Sequence, residues 1–181
     1  WDLESADIIK SQEIKDLATA IGSLPGDTDI SNLRYGKICI LADADSDGLH
    51  IATLLCALFL RHYKNLVTSG KIFVSMPPLY RIDAAKEVFY ALDENEKESI
   101  VKKIKKQNSK IKIDIQRFKG LGEMNPSQLR ETVMKPESRR LVQLTLSSSD
   151  NANSVFDLLL SKKRAPDRKE WLEKKGNLAE I

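Results

Sequence analysis

One stretch of the sequence constrains the fold more than any other: a short apolar run that ends in closely spaced carboxylates. The run Lys37–Leu41 contains two β-branched isoleucines, and Asp43, Asp45, Asp47 and Gly48 follow it. Periodicity alone does not separate a short buried strand from a helix, but acids and a glycine at this point are typical of a strand end. Alternate side chains of an extended chain point the same way, so we expect Asp43 and Asp45 to leave the strand side by side.

These three aspartates predict a site for a hard cation. Carboxylates held close together repel one another, and a shared cation relieves that repulsion. No His or Cys stands between Asp43 and Gly48, so the predicted ligands are all oxygens, which suit Mg²⁺ or Ca²⁺ better than Zn²⁺. We interpret the stretch as a magnesium site formed by Asp43, Asp45 and Asp47.

Two other interpretations compete for the same residues. The spacing from Asp43 to Gly48 matches the start of an EF-hand calcium loop, but Leu54 stands at the twelfth position, where a bidentate Glu is required. A strand rather than a helix precedes the loop, which also argues against an EF-hand. The second alternative is structural: the acids end the strand, and Asp47 is the N-cap of the following helix.

Composition excludes a membrane protein and limits the ways of binding nucleic acid. The chain has 181 residues, 41% of them hydrophobic, and no apolar run reaches transmembrane length. The net charge of +3 is small, so a nucleic-acid partner must be bound by a local basic patch. Cys39 and Cys56 are interpreted as reduced core residues of a cytoplasmic protein. The sequence starts at Trp1, and we expect it to be a piece of a longer polypeptide.

The pattern of apolar residues, caps and breakers predicts an α/β fold. A strand–helix–strand order around the acidic stretch indicates a right-handed parallel unit, and the acids then lie at the sheet edge where such folds bind ligands. The helix that follows Gly48 is expected to end near Gly70. The elements predicted along the chain are a helix over 11–21, strands over 37–41, 71–75, 79–82, 88–92, 111–115 and 141–146, and helices over 94–107, from 125, over 150–160 and over 166–175.

A lysine-rich segment stands out within the helix over 94–107. It continues through Lys110 and Lys112 and forms the strongest basic run of the chain. A solvated helix face is the default interpretation of such a run.

Several motifs together resemble one protein family. Leu41–Ile51 resembles the second acidic motif of the Toprim fold in type IIA DNA topoisomerases, and an isolated Asp-x-Asp would be weak on its own. Pro77–Arg81 and Gln116–Met124 are similar to more specific signatures of the bacterial B subunit. With Leu129–Thr132 and Ser138–Leu141, the resemblance covers nearly the whole chain.

Two features favour the topoisomerase IV branch of this family over the gyrase branch. The segment between the lysine-rich helix and Gln116 is short, whereas many Gram-negative gyrases carry a long insertion there. The tail from Lys162 through Trp171 to Ile181 resembles the topoisomerase IV tail.

The resemblance implies a particular domain organisation. Residues 1–115 would form a Toprim domain, a Rossmann-like parallel sheet flanked by helices, without its first acidic motif. Residues 116–181 would form a mixed α+β extension that packs on the Toprim core and on the A subunit. The first acidic motif, with its catalytic Glu, and the ATP-binding domain would both lie upstream of Trp1.

The resemblance also implies the chemistry and its partners. A tyrosine of the topoisomerase IV A subunit would attack double-stranded DNA within an A₂B₂ heterotetramer, and ATP would be used by the upstream domain. Two Mg²⁺ ions would assist: Asp43 would face both metal positions, Asp45 would belong to the second, and Asp47 would support them. No catalytic residue is assigned within this chain, and none of its tyrosines is taken as the nucleophile. A bacterial, nucleoid-associated location and a fluoroquinolone site at the DNA nick are further implications.

Four residues are predicted to contact DNA. His50 stands beside the acidic stretch, Arg117 and Lys119 flank Phe118 before a glycine pair, and Arg164 belongs to a compact basic patch. For His50, the open alternative is a structural histidine whose hydrogen bonds are satisfied within the protein. For the glycine pair, the open alternative is a tight turn between a strand and a helix. His62, on the apolar stripe of its helix, is interpreted as structural.

Two other function classes stay open on the sequence. A metal-dependent phosphohydrolase would use an Asp at the strand end as its nucleophile, but it would need Thr or Val in place of Asp47 and a downstream Lys in its own motif. A non-catalytic DNA-binding module would use the acids only to shape a loop.

Overall fold

The fold is α/β, as predicted, and the described residues form α-helices and two small three-stranded sheets. A computed structural model of the chain describes residues 1–146 and 151–178. The chain forms two compact units, one of Trp1–Ile38, Leu54–Ile72 and Leu144–Ile181, the other of Cys39–Thr53 and Phe73–Gln143. The predicted domain boundary between residues 115 and 116 coincides with no limit of these units and stays a prediction about the whole protein.

The chain opens with a one-turn helix and the helix expected over 11–21. Helix α1 comprises Ser5–Ile8 and α2 comprises Gln12–Ile21. Gly22 ends α2 in the left-handed conformation, with φ of 78°. Its N–H donates to the Ala18 carbonyl, and a Cβ at this position would clash with the backbone oxygen of Asn32. Glycine is therefore required at this helix end on two grounds.

The strand–helix–strand unit forms, but its helix is interrupted. Strand β1 is Ile38–Ile40, α3 is Ser46–His62, α4 is Lys64–Thr68 and β2 is Ile72–Ser75. The expectation of one helix as far as Gly70 was wrong, because Tyr63 leaves the helical region (φ −133°, ψ 41°). Its side chain is 2% exposed, and its ring packs against Phe59 with the centroids 5.5 Å apart.

The first sheet has the strand order β1-β2-β6, where β6 is Leu141–Gln143. Strand β6 pairs antiparallel to β2, with Val74 opposite Val142. It is shorter than the predicted 141–146. The late strand thus adds an antiparallel edge to the sheet that carries the acidic stretch.

The second sheet belongs wholly to the second unit. It has the order β4-β3-β5, in which β3 is Tyr80–Ala84, β4 is Glu87–Ala91 and β5 is Ile113–Arg117, all pairing antiparallel. Helix α5, Glu94–Gln107, covers one face of this sheet. Asp93 caps α5 as predicted, its carboxylate accepting from the Glu96 N–H at 2.8 Å. The core between sheet and helix contains Tyr80, Ile82, Ala84, Ala91 and Ile104.

The helix predicted from residue 125 begins as expected and then changes from an α-helix to a π-helix. Helix α6 is Pro126–Leu129, and Asn125 and Gln128 form a reciprocal capping box. A π-helical segment, Arg130–Met134, follows. The terminal helices α7 and α8 are Ala152–Leu160 and Ala165–Lys175.

Helix α8 ends at Lys175, as expected, with Gly176 as its C-cap at φ of −63° and a 3₁₀ turn after it. One local expectation was wrong: Cys39 is exposed rather than buried in the core. Residues 147–150 and 179–181, which include the end of the tail used in the resemblance, lie outside the described part of the chain.

No helix among the described residues is long and apolar enough to cross a membrane.

Candidate metal and DNA-binding site

The acidic stretch contacts the segment Gly120–Gly122, which follows Lys119. The backbone N–H of Leu121 donates a hydrogen bond to Asp43 Oδ1 at 2.8 Å. Both residues belong to the second unit. Because a carboxylate is held best by donors of fixed direction, this N–H orients the Asp43 side chain and leaves its other oxygen available.

Two glycines make this contact possible. At Gly120, a Cβ would lie 3.2 Å from the carboxylate carbon and both oxygens of Asp43. At Gly48, which is buried, a Cβ would overlap the Asp43 backbone oxygen. The Gly48 position therefore excludes any side chain, whereas a methyl group at Gly120 would require the Asp43 carboxylate to shift by a few tenths of an ångström.

Asp45, rather than Asp47, caps α3. The Asp45 carboxylate accepts from the Gly48 N–H at 2.7 Å, and the Asp45 carbonyl accepts from the Leu49 N–H at 3.0 Å. Asp47 lies exposed in the first helical turn. The structural alternative had named the wrong aspartate, although both acids are stabilised by the positive end of the helix.

Three of the sequence motifs meet at one crevice in the second unit. Its lining includes Ala44 of the acidic stretch, the Pro77–Leu79 segment, the Phe118–Leu121 segment and Met124. Phe118 is 1% exposed, and its N–H donates to the Leu79 carbonyl at 2.8 Å. The motifs that lie far apart in sequence thus form one structural neighbourhood around the Asp43 loop.

The carboxylate oxygens of Asp43 and Asp45 are the type of ligand that suits a hard divalent cation. They supply only part of a complete ligand set. Asp43 and Asp45 each use one carboxylate oxygen in a hydrogen bond and keep the other without one among the described residues. Within the same residues, no group of three or more His, Cys, Asp or Glu side chains is arranged to hold a metal ion. The assignment of Asp43, Asp45 and Asp47 to Mg²⁺ therefore stays a proposal.

The residues predicted to contact DNA differ in the exposure of their side chains and in the interactions that these already form. The His50 side chain is exposed and forms no hydrogen bond within the described part of the chain, which argues against the satisfied structural role. Lys119 is exposed too. Arg117 lies on β5, with its guanidinium carbon 6.0 Å from the centroid of the Tyr80 ring. Arg164 instead forms ion pairs with Asp157 at 3.0 Å and with Asp167.

The competing interpretations of His62 and of the glycine pair are both supported. His62 is 6% exposed, and its Nδ1 lies 3.0 Å from the Ser5 hydroxyl, as a structural histidine should. A tight 3₁₀ turn, Leu121–Glu123, does connect β5 to α6. Glu123 closes this turn by accepting from the Lys119 N–H at 2.8 Å.

Sequence reasoning missed the residues that hold Asp43 in place. Gly120 and Leu121 act through backbone atoms, and nothing in their local sequence points to a partner 78 positions away. The signal that was available is the glycine on each side of Leu121, since paired glycines often mark a close approach of backbone to another group.

Gly120→Ala is expected to weaken the metal site while the fold is kept. The added methyl group must push the Asp43 carboxylate by a few tenths of an ångström, whereas Gly122→Ala meets no atom within 4 Å. We expect a drop of roughly tenfold or more in metal-dependent activity for Gly120→Ala alone, as for other groups that orient a ligand. Equal activity of the two variants in a magnesium-dependent DNA cleavage assay would contradict this arrangement.

Comparison with known proteins agrees with the motifs. Residues 110–173 match the family described as DNA gyrase B subunit, carboxyl terminus. The chain is 59% identical over 181 residues, its whole length, to the B subunit of DNA topoisomerase 4 from Pseudomonas aeruginosa, and 57% identical over 183 aligned positions to that of Escherichia coli K12. It is 41% identical over 168 residues, 92% of the chain, to the B subunit of DNA gyrase from Thermotoga maritima.

The chain spans 29% of the length of the two topoisomerase 4 relatives and 26% of the gyrase relative. The higher identity to the topoisomerase 4 relatives confirms the branch that the sequence favoured. This chain therefore belongs to the family of bacterial topoisomerase B subunits that comprises those of DNA topoisomerase 4 and of DNA gyrase.

Proposed function

We propose that this chain is the metal-binding part of topoisomerase IV, a type IIA enzyme that breaks, passes and rejoins double-stranded DNA. The observation that carries the proposal is the hydrogen bond from the Leu121 N–H to Asp43 Oδ1, because it joins the acidic stretch to the most specific motif of the chain. An acid that only ended a strand would need no such fixed donor from a distant segment.

Within this proposal, Asp43 and Asp45 hold the cation and Asp47 supports them. When bound, Mg²⁺ would stabilise negative charge at the reacting phosphate. Asp43 presents its free oxygen because Leu121 fixes the other one. Asp45 performs two tasks, since the oxygen that caps α3 also sets the direction of its second oxygen.

The chain's cationic groups would position the DNA. Lys119 and His50 are exposed and can reach phosphate oxygens, which fixes the register of the duplex without reading its sequence. Arg117 contributes in the same way from the end of β5. We assign Arg164 a weaker role, because its two carboxylate partners within the chain already neutralise it.

The remaining parts of the reaction would come from outside this chain. The nucleophilic tyrosine would belong to the topoisomerase IV A subunit in an A₂B₂ assembly, and both the catalytic Glu and the ATP-binding domain would belong to the upstream part of the B subunit. A fluoroquinolone site at the DNA nick and a cytoplasmic, nucleoid-associated location complete the proposal.

The complete enzyme is expected to decatenate DNA in preference to introducing negative supercoils. The short connection from α5 to Gln116, the basic tail and the higher identity to topoisomerase 4 relatives support this expectation. The test is the holoenzyme, assembled from whole A and B subunits, with interlinked circles and with relaxed plasmid as separate substrates. Efficient ATP-dependent negative supercoiling would identify a gyrase, and phosphatase activity on small phosphate esters would favour the phosphohydrolase alternative.

A further inference from the structure

The second half of α5 and the loop after it form a lysine surface that the proposed site does not use. Residues 102–112 contain six lysines and neither Asp nor Glu, and every one of these lysines is exposed. We call this set the lysine surface: Lys102, Lys103, Lys105, Lys106, Lys110 and Lys112. Among the described residues, Lys102 is its one member in an ion pair, with Glu98 at 3.2 Å.

The lysine surface is not needed to pack α5. Ile100, Val101 and Ile104 hold the helix against the core of the second sheet. At about 100° per residue, Lys102 and Lys106 lie about 160° from Ile104, on the opposite side of α5, and Lys103 and Lys105 lie on its two flanks, about 100° from Ile104. One face of the helix therefore provides its packing, and the flanks and the opposite face present cations.

Holding these charges together carries an electrostatic cost. Lys102 and Lys106, four positions apart, and Lys103 and Lys106, three apart, are like-charged neighbours on the helix surface, which destabilise a helix. The negative end of the helix dipole offsets part of this repulsion near residue 107. Lys110 and Lys112 lie beyond the helix end and gain little from it. A bound polyanion would relieve the repulsion for all of them.

The chemistry of the surface selects among polyanions. It contains lysines but no arginine, and so lacks the fork-shaped donor that most often reads guanine edges. It also lacks an aromatic residue between positions 102 and 112, whereas single-strand binding surfaces stack bases on aromatic rings. What remains is a set of flexible point charges, suited to phosphates regardless of sequence.

We infer that the lysine surface binds the phosphate backbone of duplex DNA, as a second contact besides the acidic site. This inference rests on the proposed function, since it assumes that the whole enzyme handles duplex DNA. The contact contributes affinity without sequence preference and is strongly dependent on salt.

The test compares two triple variants of the whole B subunit, each paired with its A partner in the holoenzyme. The first carries Lys103→Gln, Lys105→Gln and Lys106→Gln. The control carries Lys10→Gln, Lys169→Gln and Lys174→Gln, which remove equal charge but act on lysines already paired with Asp7, Glu173 and Glu170. The affinity for a linear duplex is measured at several salt concentrations. Lys and Gln have similar helix propensities, so both variants should fold.

For the first variant, we expect the slope of log affinity against log salt to be smaller in magnitude by about two to three. Each lost phosphate contact removes about 0.9 from that slope. The control should keep the wild-type slope, and replacing the three lysines by Arg should restore it. Equal slopes for the two Gln variants, with wild-type enzyme that binds and cleaves DNA normally, would overturn this inference alone. Wild-type enzyme that neither binds nor cleaves duplex DNA would overturn the proposed function.

Discussion

Asp43→Asn is expected to lower magnesium-dependent DNA cleavage by the holoenzyme by roughly 100-fold or more, since even groups that only orient a metal ligand account for up to that much. Asn keeps the size of the side chain and an oxygen that can still accept from the Leu121 N–H. The charge is lost, and a hard cation binds a neutral amide more weakly than a carboxylate. Asp45→Asn should lower cleavage for the same reason, the loss of charge. Its fold should be kept, because the amide oxygen can still cap α3.

A matched control separates this effect from a general loss of negative charge. Asp114→Asn changes an exposed acid on β5 of the same compact unit and should leave cleavage unchanged. Thermal unfolding should be nearly the same for all three variants, and removing one of several neighbouring carboxylates can even raise stability by relieving repulsion. Normal cleavage by Asp43→Asn would show that this residue is not a ligand.

The second large effect is a complete absence of activity: the isolated 181-residue chain is expected not to nick DNA, with or without magnesium. Transesterification needs a nucleophile, enough oxygen ligands to fix the metal, and usually a group that manages the proton. Mg²⁺ demands near-ideal octahedral geometry. The described residues contain no group of three potential ligands arranged for it, so the cation should be bound only weakly.

Three of the four tyrosines of the chain have pKa values shifted against the role of the missing nucleophile. Burial raises the pKa of Tyr63 to about 12. Its hydroxyl also has no hydrogen-bond partner among the described residues. A hydrogen bond to Glu94 raises the pKa of Tyr80, and burial raises the pKa of Tyr90. Each shift disfavours the phenolate that would attack a phosphate.

The measurement is a plasmid-nicking assay on the purified chain, repeated with the whole A and B subunits together. Activity should appear only in the complete assembly. Magnesium-dependent nicking by the chain alone that disappears in Asp43→Asn would place the nucleophile within these residues and reverse the proposed division of labour.

Most secondary structure could be predicted because its signals are local. Asp93, Asn125 and Gly22 stand at helix ends and act there through short-range hydrogen bonds or backbone conformation. The break at Tyr63 could not be predicted, since the sequence around it contains no Gly or Pro. The break accompanies the burial of that ring, which is a tertiary effect.

The sequence named the acids of the candidate site but not how they are held. Its acids were recognisable because their spacing at a strand end is unusual. The orientation of Asp43 depends on Leu121, 78 positions along the chain, and a contact at that range leaves no periodic signal. The cap was assigned to Asp47 rather than Asp45 because the sequence does not fix where α3 begins; the helix starts at Ser46, so Asp45 takes the cap position.

The claim that these aspartates bind magnesium for DNA cleavage is tested most directly by titrating magnesium against cleavage. The holoenzyme with Asp45→Asn should need a much higher magnesium concentration than wild type to reach half of its maximal cleavage, while Asp114→Asn should follow the wild-type curve. Full cleavage by Asp45→Asn at a magnesium concentration that only just supports the wild-type enzyme would contradict the metal assignment.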